Sequence, residues 1–374
     1  MIKKLLTANV LVFVLPALTL FAQDAPDSAA MGQFGVSAAT RQLRISAYPY
    51  VYYTPETEVA FGVGGILTFY TGQDRILRPS KILLSGYYAT TGQYKITLGP
   101  QLYFTKNRYF VSTTLDFGYY VDKFYGIGNN TPEIDNARYA SQAFGVELDF
   151  ELPSLLKISL RSGIIYDFSD NTITDKKSNP YLLSGEVPGS AGGLTSGLGL
   201  TWVWDSRDHT FFPNRGGLHR VKAIYYFEEI GSDFDFDKYE VDLRQYFALA
   251  PDHVLAVQAY GSFARAFPPF YELPALGGQN RMRGYFQGRY RDKNYVTGQV
   301  EYRTPVWWRI GAVAFWGLGD VSAKTRDLKL RDFKHSYGAG LRVKFNQAEK
   351  VNLRVDFGFG KSTSGVYFGI EEAF

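Results

Sequence analysis

The chain has 374 residues, of which 28 are Tyr, 29 Phe and 5 Trp, yet its mean hydropathy is slightly negative. No run beyond the N-terminus reaches the ~18 apolar residues of a membrane helix, which excludes a helical membrane protein and leaves an unusually aromatic soluble β protein or a transmembrane β-barrel. The absence of cysteine excludes disulfide staples, thiolate metal sites, cysteine nucleophiles and a lipid-modified N-terminal cysteine, and a net charge of +4 without a basic block argues against nucleic acid as a partner.

The chain opens with Met1-Ile2-Lys3-Lys4, a short basic start, followed over residues 5–22 by an apolar stretch broken by Thr7, Asn9, Pro16 and Thr19. This predicts a secretory signal peptide over residues 1–22, and Pro16 with the polar interruptions weakens the competing reading as an anchoring helix. Cleavage after Ala22 fits, although Leu20 at the minus-three position is larger than the rule prefers. Residues 23–40 read as a short polar periplasmic segment, and residues 41–374 as one domain of repeated two-residue alternation.

Strands are predicted to begin near Arg44, Glu58, Ser80, Tyr94, Arg108, Ala137, Leu156, Gly193, Gly217, Asp237, His253, Tyr295, Arg309, Ser336, Val351 and Gly365, sixteen in all. The alternation assigns faces. Val111, Thr113, Leu115, Phe117 and Tyr119 point outward between Ser112, Thr114, Asp116 and Gly118; Leu353, Val355 and Phe357 point outward between Arg354, Asp356 and Gly358. Tyr337, Leu341 and Val343 go outward with Arg342 and Lys344 inward, and Tyr239, Val241 and Leu243 outward with Lys238, Glu240, Asp242 and Arg244 inward. A soluble sandwich would bury the apolar face instead; strand length, the aromatic surplus and the signal peptide favour an all-β transmembrane antiparallel barrel.

Short turns at Thr91-Gly92-Gln93, Lys106-Asn107, Pro153-Ser154 and Asn346-Gln347 are expected at the periplasmic end, and the long polar stretches 122–136 and 167–192 outside. Residues 268–294 are too apolar and aromatic for a loop in water, so they are expected to pack inside the barrel.

Within that stretch, Arg281-Met282-Arg283-Gly284-Tyr285 after Gly277-Gly278 resembles the Arg-Gly-Phe/Tyr loop signature of the BamA/TamA outer-membrane assembly superfamily, the bacterial surface antigen family. Trp204-Asp205-Ser206-Arg207 with Phe212-Pro213-Asn214-Arg215-Gly216 resembles the family's strand-and-turn motif; Val300-Glu301-Tyr302-Arg303-Thr304-Pro305 and Phe315-Trp316-Gly317-Leu318-Gly319-Asp320 resemble its following strands. The resemblance runs from about residue 40 to Phe374. It implies a sixteen-stranded barrel whose sixth extracellular loop tucks into the lumen, where Arg283 meets acidic residues of the inner wall. Parity turns Glu301 inward, with Tyr295, Thr297, Gln299 and Arg303. Asp320 matches the family's partner position, but the Gly-rich alternation before it assigns no face. Arg283 could also be a solvated surface residue, or a contact that only stabilises the barrel.

The resemblance further implies a weak seam between first and last strands that opens sideways. Pro49 in the first strand and Pro55 at its end suit an edge, Gly358, Gly360 and Gly365 are expected to weaken the approach to the last strand, and the terminal Phe374 is of the kind outer-membrane barrels show. Glu372 departs from the apolar residue expected there. Residues 23–40 are too few for a polypeptide-transport-associated domain, so a short relative is expected, acting in insertion or translocation of client β-barrel proteins with outer-membrane lipids and a separate periplasmic partner around it. A channel or lipid-handling barrel is the alternative. No enzyme, metal site or cofactor is expected: there is no Gly-x-Ser-x-Gly, the four histidines are scattered, and the glycines of residues 192–199 lie on a strand with no helix after them.

Overall fold

A computed structural model of the chain describes residues 43–54, 57–74, 76–153, 160–346 and 351–374. The predicted signal peptide, the 23–40 segment, Pro55 and the strand start near Leu156 lie outside the described residues. The strands are β1 (Arg44–Thr54), β2 (Glu58–Phe69), β3 (Ser80–Ala89), β4 (Tyr94–Phe104), β5 (Tyr109–Lys123), β6 (Arg138–Pro153), β7 (Leu160–Asp175), β8 (Gly192–Asp205), β9 (Gly216–Tyr226), β10 (Phe236–Ala250), β11 (His253–Ala266), β12 (Ala275–Leu276), β13 (Tyr290–Arg291), β14 (Asn294–Trp307), β15 (Ile310–Ser322), β16 (Lys334–Asn346), β17 (Val351–Gly360) and β18 (Thr363–Ile370). Sixteen of them form one antiparallel sheet in sequence order, with β11 paired directly to β14; β12 and β13 form a separate small ladder in the connection between them. Among the described residues no helix is long and apolar enough to cross a membrane.

The sheet is inverted relative to a soluble protein. Its buried face carries Lys81, Glu151, Lys222, Arg303, Arg342, Arg354 and Asp356, while Phe61, Leu84, Leu200, Trp202, Leu341 and Phe357 are exposed on the other. A charged core under an apolar skin is stable only where lipid covers the skin, because exposed apolar area in water is costly. Outward aromatic residues also line up across strands: Trp316 of β15 is opposite Tyr337 of β16, which is opposite Phe359 of β17.

Three of the four short turns, those after β4, β6 and β16, lie at the end of the sheet opposite the long connections, as expected, and one does not. Neighbouring strands are antiparallel, so the Thr91-Gly92-Gln93 turn between β3 and β4 lies at the same end as the long connections 124–137, 176–191 and 267–293. The opposite end carries connections of moderate length at 70–79 and 206–215. Strand parity decides the end; loop length is free to vary.

The sheet rolls up until its two edges approach, with Cα atoms of β1 and β18 within 8 Å of one another. Among the described residues no backbone ladder joins these two strands. The 267–293 segment spans the concave side, since its side chains reach strands far apart in the sheet: Arg291 meets Asp122 of β5 at 3.3 Å, Tyr271 donates to the Gly193 carbonyl of β8 at 3.1 Å, and Glu272 accepts from Lys238 of β10 at 3.2 Å.

If lipid covers the outer face, Leu341→Arg is expected to cost roughly 2–4 kcal/mol. Thr114→Arg, on the polar face opposite Glu147 of β6, should stay within about 0.5 kcal/mol. Urea unfolding in lipid vesicles measures both, and equal costs would contradict the assignment of faces.

Candidate functional site

The site is built where the 267–293 segment meets β14, β16 and β17. The pairing of Ala275 with Arg291 and of Leu276 with Tyr290 turns the segment into a hairpin, so it is not structureless as its length suggested. Its tip is pinned by the Tyr285 N–H donating to Met282 at 3.2 Å and the Gly278 N–H donating to Tyr285 at 3.2 Å. Leu276, Met282 and Tyr285 then pack on Tyr260, Tyr295 and Val321 of the wall. This apolar cluster fixes the approach of Arg283.

Glycines on β17 set how close the tip comes. A Cβ on Gly358 would lie 2.6 Å from the Arg283 carbonyl carbon, and one on Gly360 would lie 2.5 Å from the Tyr285 ring. Gly284, with φ +107°, presses equally on β17, where a Cβ would meet the Phe359 carbonyl carbon at 2.5 Å. Gly365 of β18 leaves room for the Tyr367 ring, whose hydroxyl accepts from the Gly284 N–H at 2.9 Å and donates to the Tyr285 carbonyl at 3.3 Å. These three wall glycines, expected as weak points of the seam, stand in regular ladders and form the seat of the loop. The Tyr285 hydroxyl donates to the His335 carbonyl at 3.1 Å and accepts from the Lys361 N–H at 2.9 Å; burial pushes this phenol up.

Arg283 has no exposed surface. One guanidinium nitrogen donates to Glu301 of β14 at 2.7 Å and the other to Asp356 of β17 at 2.7 Å, while the group lies 3.5 Å from the centre of the Phe315 ring. A planar fork suits this bridge between two carboxylates on different strands. Around it, Arg303 bonds Glu301 at 2.9 Å, Arg342 bonds Asp356 at 2.6 Å, and Arg354 bonds Asp356 at 2.8 Å. Arg342 also holds Glu372 at 2.7 Å, and Asn352 donates to the other oxygen of Glu372 at 2.7 Å. Burying such charges is tolerable only when each finds a partner, so the network ties the loop to three strands at once.

Asp320 is not in it. It accepts from Lys334 at 2.8 Å and from Asn129 of the 124–137 connection at 2.8 Å, and Asp356 occupies the place expected for it. The alternation already turned Asp356, Arg342 and Arg354 inward, but spacing along a strand carries no information about which loop residue arrives opposite.

The strand-and-turn motif forms a second site near the other end. Arg207 grips Asp205 through two bonds of 3.0 Å, and Arg78 from the 70–79 connection bonds the same carboxylate. Gly216 needs to be glycine, having φ +90° and a position where a Cβ would fall 2.1 Å from the Ser206 carbonyl oxygen. Pro213 is buried, and Arg215 is exposed with its N–H donating to Asp208 at 3.3 Å. The turn so held drives Phe211 and Phe212 into the interior. There Phe212 joins Tyr246, Val254, Ala256, Ala373 and Phe374. Phe374 is buried, and its carbonyl accepts from Arg303 at 2.8 Å. Pro49 lies on β1 opposite Val63 of β2, on an edge strand that tolerates a missing donor.

The profile of the Omp85 superfamily domain matches residues 84–374. Among solved structures, BamA from Haemophilus ducreyi lacking POTRA domains 1-3 matches with a TM-score of 0.57 at 14% identity, over 88% of this chain and 70% of that one. CdiB from Acinetobacter baumannii matches at 0.55 and 13% over 87% and 59%, and CdiB from Escherichia coli at 0.53 and 15% over 88% and 67%. The chain thus spans about two thirds of the length of these structures, and at such identity the likeness is one of fold. No curated protein sequence matches it.

Removing Arg283 leaves Glu301 and Asp356 each short of a bond in a dry site, so Arg283→Ala is expected to cost about 3–5 kcal/mol. Arg283→Lys should recover less than half of that, since a point charge cannot bridge both carboxylates in the geometry of a fork. The shift in urea midpoint, together with heat-modifiable migration, tests this; an unchanged midpoint for Arg283→Ala would remove the network from any account of stability.

Proposed function

This chain belongs to the Omp85 superfamily, and on that premise we propose that it acts in the outer membrane of a Gram-negative bacterium in the insertion or translocation of client β-barrel proteins, through the seam between β1 and β18. The observation that carries the reading is the pair of edges that lie side by side without a backbone ladder among the described residues. In hydrocarbon an unbonded strand edge is costly, because lipid offers nothing to a free N–H or carbonyl. A client strand that adds to such an edge by β-augmentation satisfies both partners at once. Pro49 lies on the β1 edge strand, where a residue without an N–H donor is tolerated.

A diffusion pore is the other reading, and the interior speaks against it. The 267–293 segment crosses the concave side, and Phe211, Phe212 and Phe374 fill the interior near the 206–215 turn. A conducting pore needs an open passage. The reading is also non-enzymatic: His209, which follows Asp208, uses its Nδ1 to accept the Phe211 and Phe212 N–H groups and so serves the turn. A separate periplasmic partner and outer-membrane lipids are the remaining components of the proposal.

The test is reconstitution of the purified barrel in liposomes with a small unfolded client barrel. Folding of the client is expected to accelerate relative to empty liposomes, and Arg283→Ala should lose most of that acceleration. Steady conductance with no effect on client folding would favour a channel.

A further inference from the structure

The seam has something behind it. After β18 the chain leaves the sheet at Glu371, whose φ of +66° is the left-handed region that a branched or long side chain rarely adopts. The bend is held by the Glu371 N–H donating to the Asn352 carbonyl at 2.8 Å, and it turns residues 371–374 inward. Three of the four then bond to the wall. Glu371 accepts from Lys81 at 2.6 Å, Glu372 from Arg342 at 2.7 Å, and the Phe374 carbonyl from Arg303 at 2.8 Å.

The Lys81 contact is the unusual one. Lys81 belongs to β3, on the far side of the seam from β18, so the bond spans β1 and β2 without using either strand's backbone. It is reinforced by an apolar contact of the same reach. Phe211, delivered by the turn that Asp205 and Arg207 brace, forms a buried cluster with Ile66 of β2, against which Leu83 of β3 and Ile370 of β18 pack. The Lys81 ammonium lies 4.8 Å from the centre of that same ring. One apolar cluster around Phe211 and one ion pair therefore join the two margins of the seam, where the edges share no ladder among the described residues.

We propose that the 206–215 turn and residues 371–374 form an internal clasp that holds the seam shut, with the Lys81–Glu371 ion pair as its releasable link. Lys81 and Glu371 are largely enclosed, at 10% and 27% side-chain exposure, so the pair is not a solvated surface bridge. It is also a single bond, unlike the cross-braced network around Arg283, and can part while the loop stays seated. This inference rests on the seam reading above and assigns it a control: sideways opening requires the 371–374 segment to let go of β3.

The native chain has no cysteine, so cysteines placed at Ile45 of β1 and Phe368 of β18 give a spin-label pair reporting only on the seam. In the folded full-length protein in lipid, the pair is expected to give one short-distance coupling. Lys81→Glu and Glu371→Lys, separately, should each shift much of the population to longer distance, and the double variant, which restores the opposite charges, should bring the short coupling back. Lys81→Gln and Glu371→Gln serve in the same way wherever a reversed charge prevents folding. A distance distribution unchanged by the single variants, or a shift that the double variant fails to reverse, would overturn the clasp. The measurement needs no client, so loss of the clasp and loss of the insertion reading are separate results.

Discussion

A guanidinium with no contact with water has to find all its counter-charge inside the protein, and at Arg283 that requirement organises the rest of the interior. Its two carboxylates come from strands that are not neighbours in the sheet, so the bridge exists only when the sheet is rolled and the 267–293 segment is seated. Arg303, Arg342 and Arg354 then share the same carboxylates, and Glu372 ties the residues after β18 into the set. Loop, wall and chain end are energetically one unit, since leaving any buried member unpaired costs several kcal/mol in a dry site.

That electrostatic unit depends on clearance as much as on charge. Gly358 and Gly360 stand where any larger residue would hold the loop tip away from β17, and Gly365 leaves room for the Tyr367 ring. Hydrogen bonds of Tyr367 to Gly284 and Tyr285 use the space so left. Residues that look like weak points in an isolated strand are thus points of close approach in the folded chain. The outer surface follows the opposite logic: Leu, Phe and Trp cover the skin, and rigidity comes from the inside.

Two parts of the interior differ in how firmly they are built. The Arg283 region is cross-braced by several short ion pairs, whereas the two margins of the seam are joined behind the unladdered edges by Lys81 with Glu371 and by Phe211. The strand-and-turn motif at Asp205 and Arg207 belongs to the second region, because it fixes the turn that presents Phe211.

The sixteen strands were legible in the sequence because period-two alternation is a local property: each start lies within two residues of the observed one, except at β7, whose first described residue is Leu160. Face assignment was legible for the same reason, and it placed Glu301, Arg342, Arg354 and Asp356 inward. The motifs around Arg283 and Asp205 lie in the segments that form the two ion-pair sites. What alternation could not supply was who meets whom across the lumen. Asp356 rather than Asp320 as partner of Arg283, glycines as a seat rather than a weakness, Phe374 against Arg303, and Lys81 against Glu371 all depend on how far the sheet curls and where the 267–293 segment lands. Strand pattern is set by neighbours in the chain, whereas these contacts join residues up to 290 positions apart and exist only once the whole sheet has closed around them.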